Sequence, residues 1–248
     1  MENHELLRRV QDLSVRCSRA DILTHSAFLT PAEQAAVAVW AQRQPGCRFF
    51  FHGGHPDCER KAVFFLPEYL QAEDFDPQSA LCAVGFSCAY GAPGHRDYLG
   101  AILSSGVRRE WLGDIWVQDG QATVFCLPTV ADHLTALEQI GRYSVRAQAL
   151  PLRQVAAPVR QRQAVSFTVQ SLRLDAILGD LFGLSRTAAA KLIAAGAASV
   201  NYVPCLKADA PVKPGDILSL RGYGKGAILE LGGLSRKGRR YVKAERYQ

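Results

Sequence analysis

Apolar positions along the chain switch between a helical and a strand period, and the switches mark the elements. From Ser171 to Gly183, Leu174, Ile177, Leu178 and Leu181 recur at i, i+3, i+4 and i+7, the stripe of an amphipathic helix. Ser171 is placed to cap its start and Gly183 to end it in a left-handed turn. A second helix begins at Ser185, whose hydroxyl can accept from a free backbone N–H. It carries Ala188, Ala189, Leu192 and Ile193 on its apolar side and stops at Gly196. Ala198 to Val203 reads as a strand. Lys213-Pro214-Gly215-Asp216 fits a type II turn, with proline fixing the second position and glycine supplying the positive φ at the third. Ile217, Leu218 and Leu220 continue as a strand, and Ile228 to Leu231 returns.

The same reading covers the rest of the chain. Glu5 to Leu13 is amphipathic. Thr30-Pro31-Ala32-Glu33 combines a capping threonine, a proline at the first helical position and the glutamate of a capping box, and the helix continues to about Gln42. Arg48 to Phe51 and Ala62 to Leu66 have strand character and flank a loop from His52 to Arg60 that contains GGHPDCER. Ala80 to Ser87 reads as a buried strand, His95 to Ser105 as a helix with Tyr98, Leu99, Ile102 and Leu103 on one side, and Gly113 to Gln118 as a strand. Asp119-Gly120 is a hairpin turn into Gln121 to Leu127. Thr129 to Ile140 is a second helix and Ser144 to Leu150 a final strand, so the order is β-α-β-β-α-β, the ferredoxin-like pattern. Residues 151–163, with two prolines, three arginines and no periodicity, are the domain boundary, and Ser166 to Gln170 is a short strand entering the last module.

Charge changes this picture. The net +6 is unevenly placed: residues 151–248 hold 16 Lys+Arg against 6 Asp+Glu, a net +10, and residues 1–150 hold 13 against 17, a net −4. Only the C-terminal part carries a field suited to a polyanion. The seven cysteines contain no CxxC pair, which points to free thiols in a reducing compartment rather than a disulfide framework. No apolar run reaches the roughly 18 residues of a membrane span, and Met1 to Asp12 lacks a signal-peptide apolar core, so a cytoplasmic protein without membrane contact is expected.

The candidate chemistry lies in the same basic part. A helix start carrying Ser185 and Arg186 favours a phosphate, because orphan N–H groups, the helix dipole and a guanidinium converge there. Arg173, Lys191, Asn201, Lys213, Arg221 and Lys225 are the further candidates, with Arg236, Lys237, Arg239 and Arg240, four cations in five positions beside glycines. His52, His55 and Cys58 are spaced by threes, but a fourth ligand is missing locally, and an exposed turn is the simpler reading. Gly222, Gly224 and Gly226 do not form a nucleotide-binding glycine pattern. No cofactor, metal or small-molecule substrate is expected.

Arg173-Leu174-Asp175, Leu184-Ser185-Arg186, Gly196, Val200-Asn201 and Val212 to Asp216 resemble, in order, the alpha-L RNA-binding module of ribosomal protein S-four. Tyr202 departs from it, since the module often has glycine after the asparagine. Residues 95–115, HRDYLGAILSSGVRREWLGDI, resemble the middle domain of the bacterial YlmH-like proteins, and the likeness extends over most of the chain, including GGHPDCER. That resemblance implies an α+β protein of three parts. They are an N-terminal α/β domain (1–75), an RNA-recognition-motif-like domain (76–152) and an S-four-type domain (164–248). It further implies a ribosome-associated role beside a tRNA on the large subunit, contacting rRNA and tRNA, and linked to rescue of stalled nascent chains.

The usual RNA-recognition motif stacks bases on aromatics of its third strand, whereas residues 122–127 here offer one aromatic, Phe125, and no cation. Arg173-Leu174-Asp175 also resembles the aspartate loop of pseudouridine synthases, which would make the chain an RNA-modifying enzyme with a targeting module. That loop continues with threonine and glycine, where this chain has Leu178 and Asp180, and no large catalytic domain follows. A non-enzymatic RNA-binding factor is therefore expected.

The charge division has a measurable consequence. Residues 164–248 alone should bind structured RNA, and if about five phosphates are neutralised, log affinity should fall with log salt at a slope of about −3.5 to −4.5. A fragment without affinity at low salt would refute this.

Overall fold

In a computed structural model, described for residues 2–158 and 162–247, the chain divides into two compact units, residues 1–158 and 159–248. The stretch of the boundary segment at 159–161 lies outside the described residues. Both units are mixed α+β, and every strand pairing is antiparallel.

The first unit opens with α1 (Glu2–Ala20), longer than the predicted Glu5–Leu13 because Cys17 continues the buried stripe begun at Val10. Strand β1 (Thr24–His25) follows, then α2 (Pro31–Ala41), whose capping box forms as the sequence predicts: the Thr30 hydroxyl accepts from the Glu33 N–H, and the Glu33 carboxylate accepts from the Thr30 N–H. Strands β2 (Phe49–His52) and β3 (Ala62–Phe65) complete a sheet of order β1-β3-β2. Val10, Cys17, Val37, Val63 and Phe65 form the core between this sheet and the two helices.

A second sheet is built from β4 (Cys82–Cys88), β5 (Leu112–Gln118), β6 (Gln121–Cys126), β7 (Gln139–Ile140) and β8 (Tyr143–Leu150), with α3 (His95–Ser104) after β4 and α4 (Pro128–Thr135) after β6. Its order is β5-β6-β4-β8-β7, so the first and third long strands lie inside. Asp119 (φ 50°) and Gly120 (φ 76°) make the two-residue turn with both φ positive that the Asp-Gly pair predicts. The expected helix over Thr129–Ile140 is corrected: α4 ends at Thr135, and Ile140 enters β7, pairing with Tyr143 across a turn at Gly141 and Arg142. Gly141 takes φ 58°, which a two-residue hairpin needs and a continuing helix would not. Leu103 is 37% exposed, so Tyr98 and Ile102 carry the buried side of α3.

Both faces of this sheet are occupied. Val84, Phe86, Val124 and Cys126 face α3 and α4. Ala83, Trp116 and Phe125 point the other way and pack with Phe28 and Phe64 of the N-terminal segment. Two glycines make that approach possible: a Cβ on Gly54 would stand 2.6 Å from the Phe125 ring, and one on Gly113 would stand 2.7 Å from the Phe28 ring.

The second unit contains β9 (Arg162–Val169), α5 (Leu174–Phe182), α6 (Arg186–Ala194), β10 (Ala198–Val200), β11 (Val203–Pro204), β12 (Ile217–Leu220), β13 (Gly224–Leu234) and β14 (Arg240–Tyr247). They form one sheet, β11-β10-β12-β13-β14-β9, whose inner face (Leu218, Leu220, Ile228, Val242, Ala244) packs on Leu174, Ile177, Leu178 and Leu181 of α5 and Ala189 and Ile193 of α6. Several expectations change. Ser171 does not cap α5; the cap position is Arg173, and the Leu174 and Asp175 N–H groups donate to the carbonyls of Ala210 and Ala208, each at 2.9 Å. The predicted strand Ala198–Val203 folds back on itself, because Asn201 (φ 49°) and Tyr202 (φ 66°) form a two-residue turn between β10 and β11. Strands β9 and β13 are longer than expected, and β14, unexpected from periodicity, pairs with β9 over its whole length.

Gly54 combines a positive φ of 96° with the close approach to Phe125. Gly54→Ala should destabilise the first unit by about 2–4 kcal/mol through strain and overpacking. All three tryptophans lie at positions 40, 111 and 116, so their emission during denaturation reports this unit alone; an unchanged transition would contradict the packing described.

Candidate nucleic-acid interface

The C-terminal unit's cations are ordered by one carboxylate. Asp175, in the first turn of α5, is 4% exposed. Its Oδ1 accepts from Arg173 Nε at 3.2 Å and from the Ala176 N–H at 2.8 Å; its Oδ2 accepts from Arg173 Nη2 at 3.2 Å and Arg186 Nε at 3.0 Å. Burial alone would push this carboxyl up, but the hydrogen bonds from Arg173 and Arg186 outweigh it and hold it below its ordinary value. The arginine side chains stay 39% and 57% exposed. Asp175 thus holds two guanidinium groups side by side at the surface, with further donors facing solvent. It is engaged as a positioning residue.

Arg186 opens α6. Ser185 caps that helix by accepting from the Ala188 N–H at 3.1 Å, and among the described residues the Arg186 and Thr187 N–H groups have no partner. The approach of the two helices needs Gly179, where a Cβ would meet the Leu184 carbonyl at 3.1 Å. A groove of about 230 Å³ runs from here to the end of β9, lined by Ser171, Gly179, Asp180, Arg186 and Arg239 among others. The fold therefore brings Arg239 to the start of α6, across 53 residues of sequence.

The other predicted residues fall elsewhere in the unit. Lys191 is exposed in the last turn of α6. Asn201 is exposed, but its amide is engaged within the protein: its Nδ2 donates to Asp216 Oδ1 at 2.8 Å and its Oδ1 accepts from the Ile217 N–H at 2.9 Å, while Asp216 Oδ2 accepts from the Lys213 N–H at 2.7 Å. Asn201 thus fixes the turn that presents Lys213. Arg221 and Lys225 line a separate groove of about 490 Å³ with Gly196, Ser199, Ser219 and Gly222, and the Lys225 ammonium lies 4.8 Å from the Tyr202 ring centre. Arg236 and Lys237 are exposed at the tip of the β13–β14 hairpin. Arg239 donates to the Thr168 carbonyl, and Arg240 Nη1 to the Gly232 carbonyl at 3.3 Å.

Strand register decides where the charge excess lies. On the face away from the helices, Lys243 pairs with Glu230 at 2.8 Å and Arg162 with Glu245 at 3.4 Å. Those pairs cancel part of the charge on that face, which also carries Lys225. Arg173, Arg186 and Arg239 gather instead around the groove at the α5–α6 junction, with Asp180 as the one exposed acid on its wall. Sequence reasoning missed Arg246, whose guanidinium covers Phe182 of α5 at 5.5 Å; a basic residue in an unforeseen strand gave no signal.

In the first unit, the GGHPDCER loop is held by Asp114, whose carboxylate accepts from the Glu59 and Arg60 N–H groups at 2.7 and 2.9 Å. His52 Nδ1 accepts from the Gly54 N–H and His55 Nδ1 from the Asp57 N–H, and Cys58 is buried. Among the described residues no three His, Cys, Asp or Glu side chains are grouped to hold a metal ion. Arg60 and Arg109 are half-buried and donate to backbone carbonyls. Burial lowers Arg109 to about 10, with the neighbouring Arg60 adding to the effect. The uncovered part of the central sheet, lined by Gly85, Ser87, Gln121, Thr123, Arg146 and Gln148, offers a single cation.

A basic unit with paired guanidinium groups, joined to a central antiparallel sheet domain, is suited to a polyanion such as RNA. Comparison with known proteins agrees: residues 71–154 match the family described as "Putative RNA-binding domain in YlmH". Ribosome-associated protein quality control protein P2 of Bacillus subtilis is 30% identical over 221 residues, covering 88% of this chain and 85% of that protein. The chain belongs to the YlmH family. A solved structure, cell division protein ylmH from Streptococcus pneumoniae, aligns at 19% identity with a TM-score of 0.49, over 62% of this chain and 89% of that one. No helix among the described residues is long and apolar enough to cross a membrane.

Asp175→Asn keeps the shape but removes the charge that both arginines contact. It should cost the C-terminal unit about 1–2 kcal/mol near neutral pH, since the freed arginines remain solvated. A carboxyl lowered by folding contributes stability above its unfolded value of 3.8, and that contribution disappears as pH falls through the folded value. The difference between wild type and Asn variant should therefore shrink in acid. Equal stabilities at pH 7 would rule out the clamp.

Proposed function

We propose that the chain is a non-enzymatic RNA-binding factor of the ribosome, acting on large-subunit rRNA and tRNA in quality control of stalled nascent chains, and hence cytoplasmic. Its domains in this reading are residues 1–75, an RNA-recognition-motif-like domain at 76–152 and an alpha-L domain of the S-four type at 164–248. The relative named for ribosome-associated quality control supports the setting, and the match to an RNA-binding family supports the ligand. The observation that carries the reading is the Asp175 clamp, which fixes Arg173 and Arg186 beside the unpartnered N–H groups of α6. Phosphate at this junction would meet two guanidinium groups, the positive end of a helix and, along the groove, Arg239.

Ser185 sets the helix start in this interface. Lys191, Lys213, Arg221 and Lys225 add contacts around the unit, Asn201 positions Lys213, and Arg236, Lys237, Arg239 and Arg240 supply the hairpin end. Asp175 acts by holding arginines, which leaves the pseudouridine-synthase resemblance without a free carboxylate to carry it.

The test joins affinity to folding. Arg186→Glu should weaken binding to large ribosomal subunits, measured by co-sedimentation, by about 10- to 100-fold, the worth of a charged hydrogen bond. The loss should be similar across RNA sequences, because phosphate contacts position rather than specify. Wild-type affinity in the folded variant, or a loss explained wholly by a lower melting temperature, would remove this helix start from the interface.

A further inference from the structure

We propose that the groove at the β12–β13 turn is a second RNA-backbone site, where Arg221, Lys225 and the hydroxyl pair of Ser199 and Ser219 hold one phosphate apart from the α5–α6 junction. This rests on the reading of the chain as an RNA-binding factor and adds to it a separate point at which the RNA is gripped.

Strand register puts the hydroxyls and the ammonium together. Ser199 lies opposite Ser219, and Ser219 opposite Lys225, so the three form a row across β10, β12 and β13. Ala198, Leu218 and Leu220 alternate with them and point into the core, so the row stands on the sheet face away from the helices. Arg221 follows directly after β12, and the chain turns back through Gly222 (φ 87°) and Gly224 (φ 114°). With Gly196, these glycines add no side chain to the wall, and the groove stays open at about 490 Å³.

The polar groups of this groove are donors. Two hydroxyls carry two protons, and Ser199 and Ser219 use one of them on each other. The second proton has no acceptor among the described residues. Arg221 is exposed, and its guanidinium likewise has no partner among the described residues. Lys225 brings its charge to the same groove, 4.8 Å from the Tyr202 ring centre. Among the described residues no Asp or Glu lines the groove, and Glu230 and Glu245 on the same sheet face are held by Lys243 and Arg162. The carbonyls of Leu192 and Ile193 near the end of α6, which would oppose an anion, accept from the Ala197 and Gly196 N–H groups. Two cations and a hydroxyl donor without a carboxylate suit a phosphate oxyanion.

This groove and the one at Arg186 share no lining residue. Strands β12 and β9 are three steps apart in the sheet, about 14 Å at the usual strand spacing. One phosphate cannot serve both grooves, so their contributions to affinity should add.

The full-length chain is titrated with a structured RNA hairpin over a range of salt. Arg221→Gln and Lys225→Gln should each flatten the log–log slope by about 0.7 to 0.9. Replacing both serines by alanine should weaken binding about three- to tenfold without changing the slope, since a neutral donor releases no counterion. Arg221→Gln should keep the wild-type melting temperature, which separates its effect from a folding defect, and it should cost the same factor in an Arg186→Gln background. A wild-type slope in the Arg221→Gln/Lys225→Gln double variant overturns the site, and so does the absence of any added loss in the Arg186→Gln background. Inorganic phosphate supplies the remaining arm. If it raises the melting temperature of the wild type but not of that double variant, while their RNA slopes agree, the groove holds a free phosphate and the backbone site is overturned. If the wild-type chain binds no RNA, the RNA-binding reading itself fails, an outcome distinct from failure of this groove alone.

Discussion

A buried carboxylate is tolerated only when it is paired and hydrogen-bonded, and Asp175 meets that condition by accepting from Arg173, Arg186 and the Ala176 N–H together. Much of the C-terminal unit follows from this. The bonds join the start of α5 to the start of α6 and so fix how the helices meet. The same bonds draw two long cationic side chains out of free rotation and hold them at the surface. Their solvent-facing donors are thereby ordered before any ligand arrives, which lowers the entropy an anion would have to offset. The N–H groups at the start of α5 take carbonyls of residues 208 and 210, whereas among the described residues those of Arg186 and Thr187 at the start of α6 have no partner, so the two helix ends have different roles.

Charge and register act together to choose a face. Glu230 and Glu245 fall on the side of the sheet away from the helices, opposite Lys243 and Arg162. Such exposed pairs add little to stability, but they cancel the local field. Cations gather at the helix junction and around the β13–β14 hairpin, and Arg221 and Lys225 line a separate groove. Asn201 shows a related division of labour: its amide is occupied within the protein, and its contribution to the surface is the turn that carries Lys213.

The central sheet is shaped by what covers it. Phe125, the lone aromatic of β6, does not offer a face to solvent; it is packed under Gly54 and beside Gly113, with Phe28 and Trp116. The glycines of the 53–60 loop and of β5, together with the Asp114 carboxylate, hold the N-terminal segment against the strands. A sheet covered on both sides gains hydrophobic burial but loses a broad base-stacking surface, and what remains open is polar with Arg146 as its cation.

Local signals were legible in the sequence wherever a few neighbouring residues carry the whole physical cause. The Thr30–Glu33 capping box, the Asp119-Gly120 hairpin, the Gly183 stop and the Ser185 cap each depend on one turn of backbone, and each formed as read. The charge division between the halves was likewise plain. Elements whose cause lies far away were not legible. Ser171 lost its capping role because carbonyls from residues 208 and 210 satisfy α5. The strand at Ala198 broke at Asn201 and Tyr202 because Asp216 and Ile217 hold the asparagine in a left-handed turn. Strand β14 exists through its pairing with β9 and β13, and a basic stretch beginning at Arg240 shows little of this by periodicity. The site divides in the same way. The types and positions of its cations stood in the sequence, but the meeting of Arg173 and Arg186 on Asp175, and of Arg239 with them across one groove, was decided by the tertiary structure. Hydrogen bonds between distant residues form only once the hydrophobic core has brought their helices and strands together.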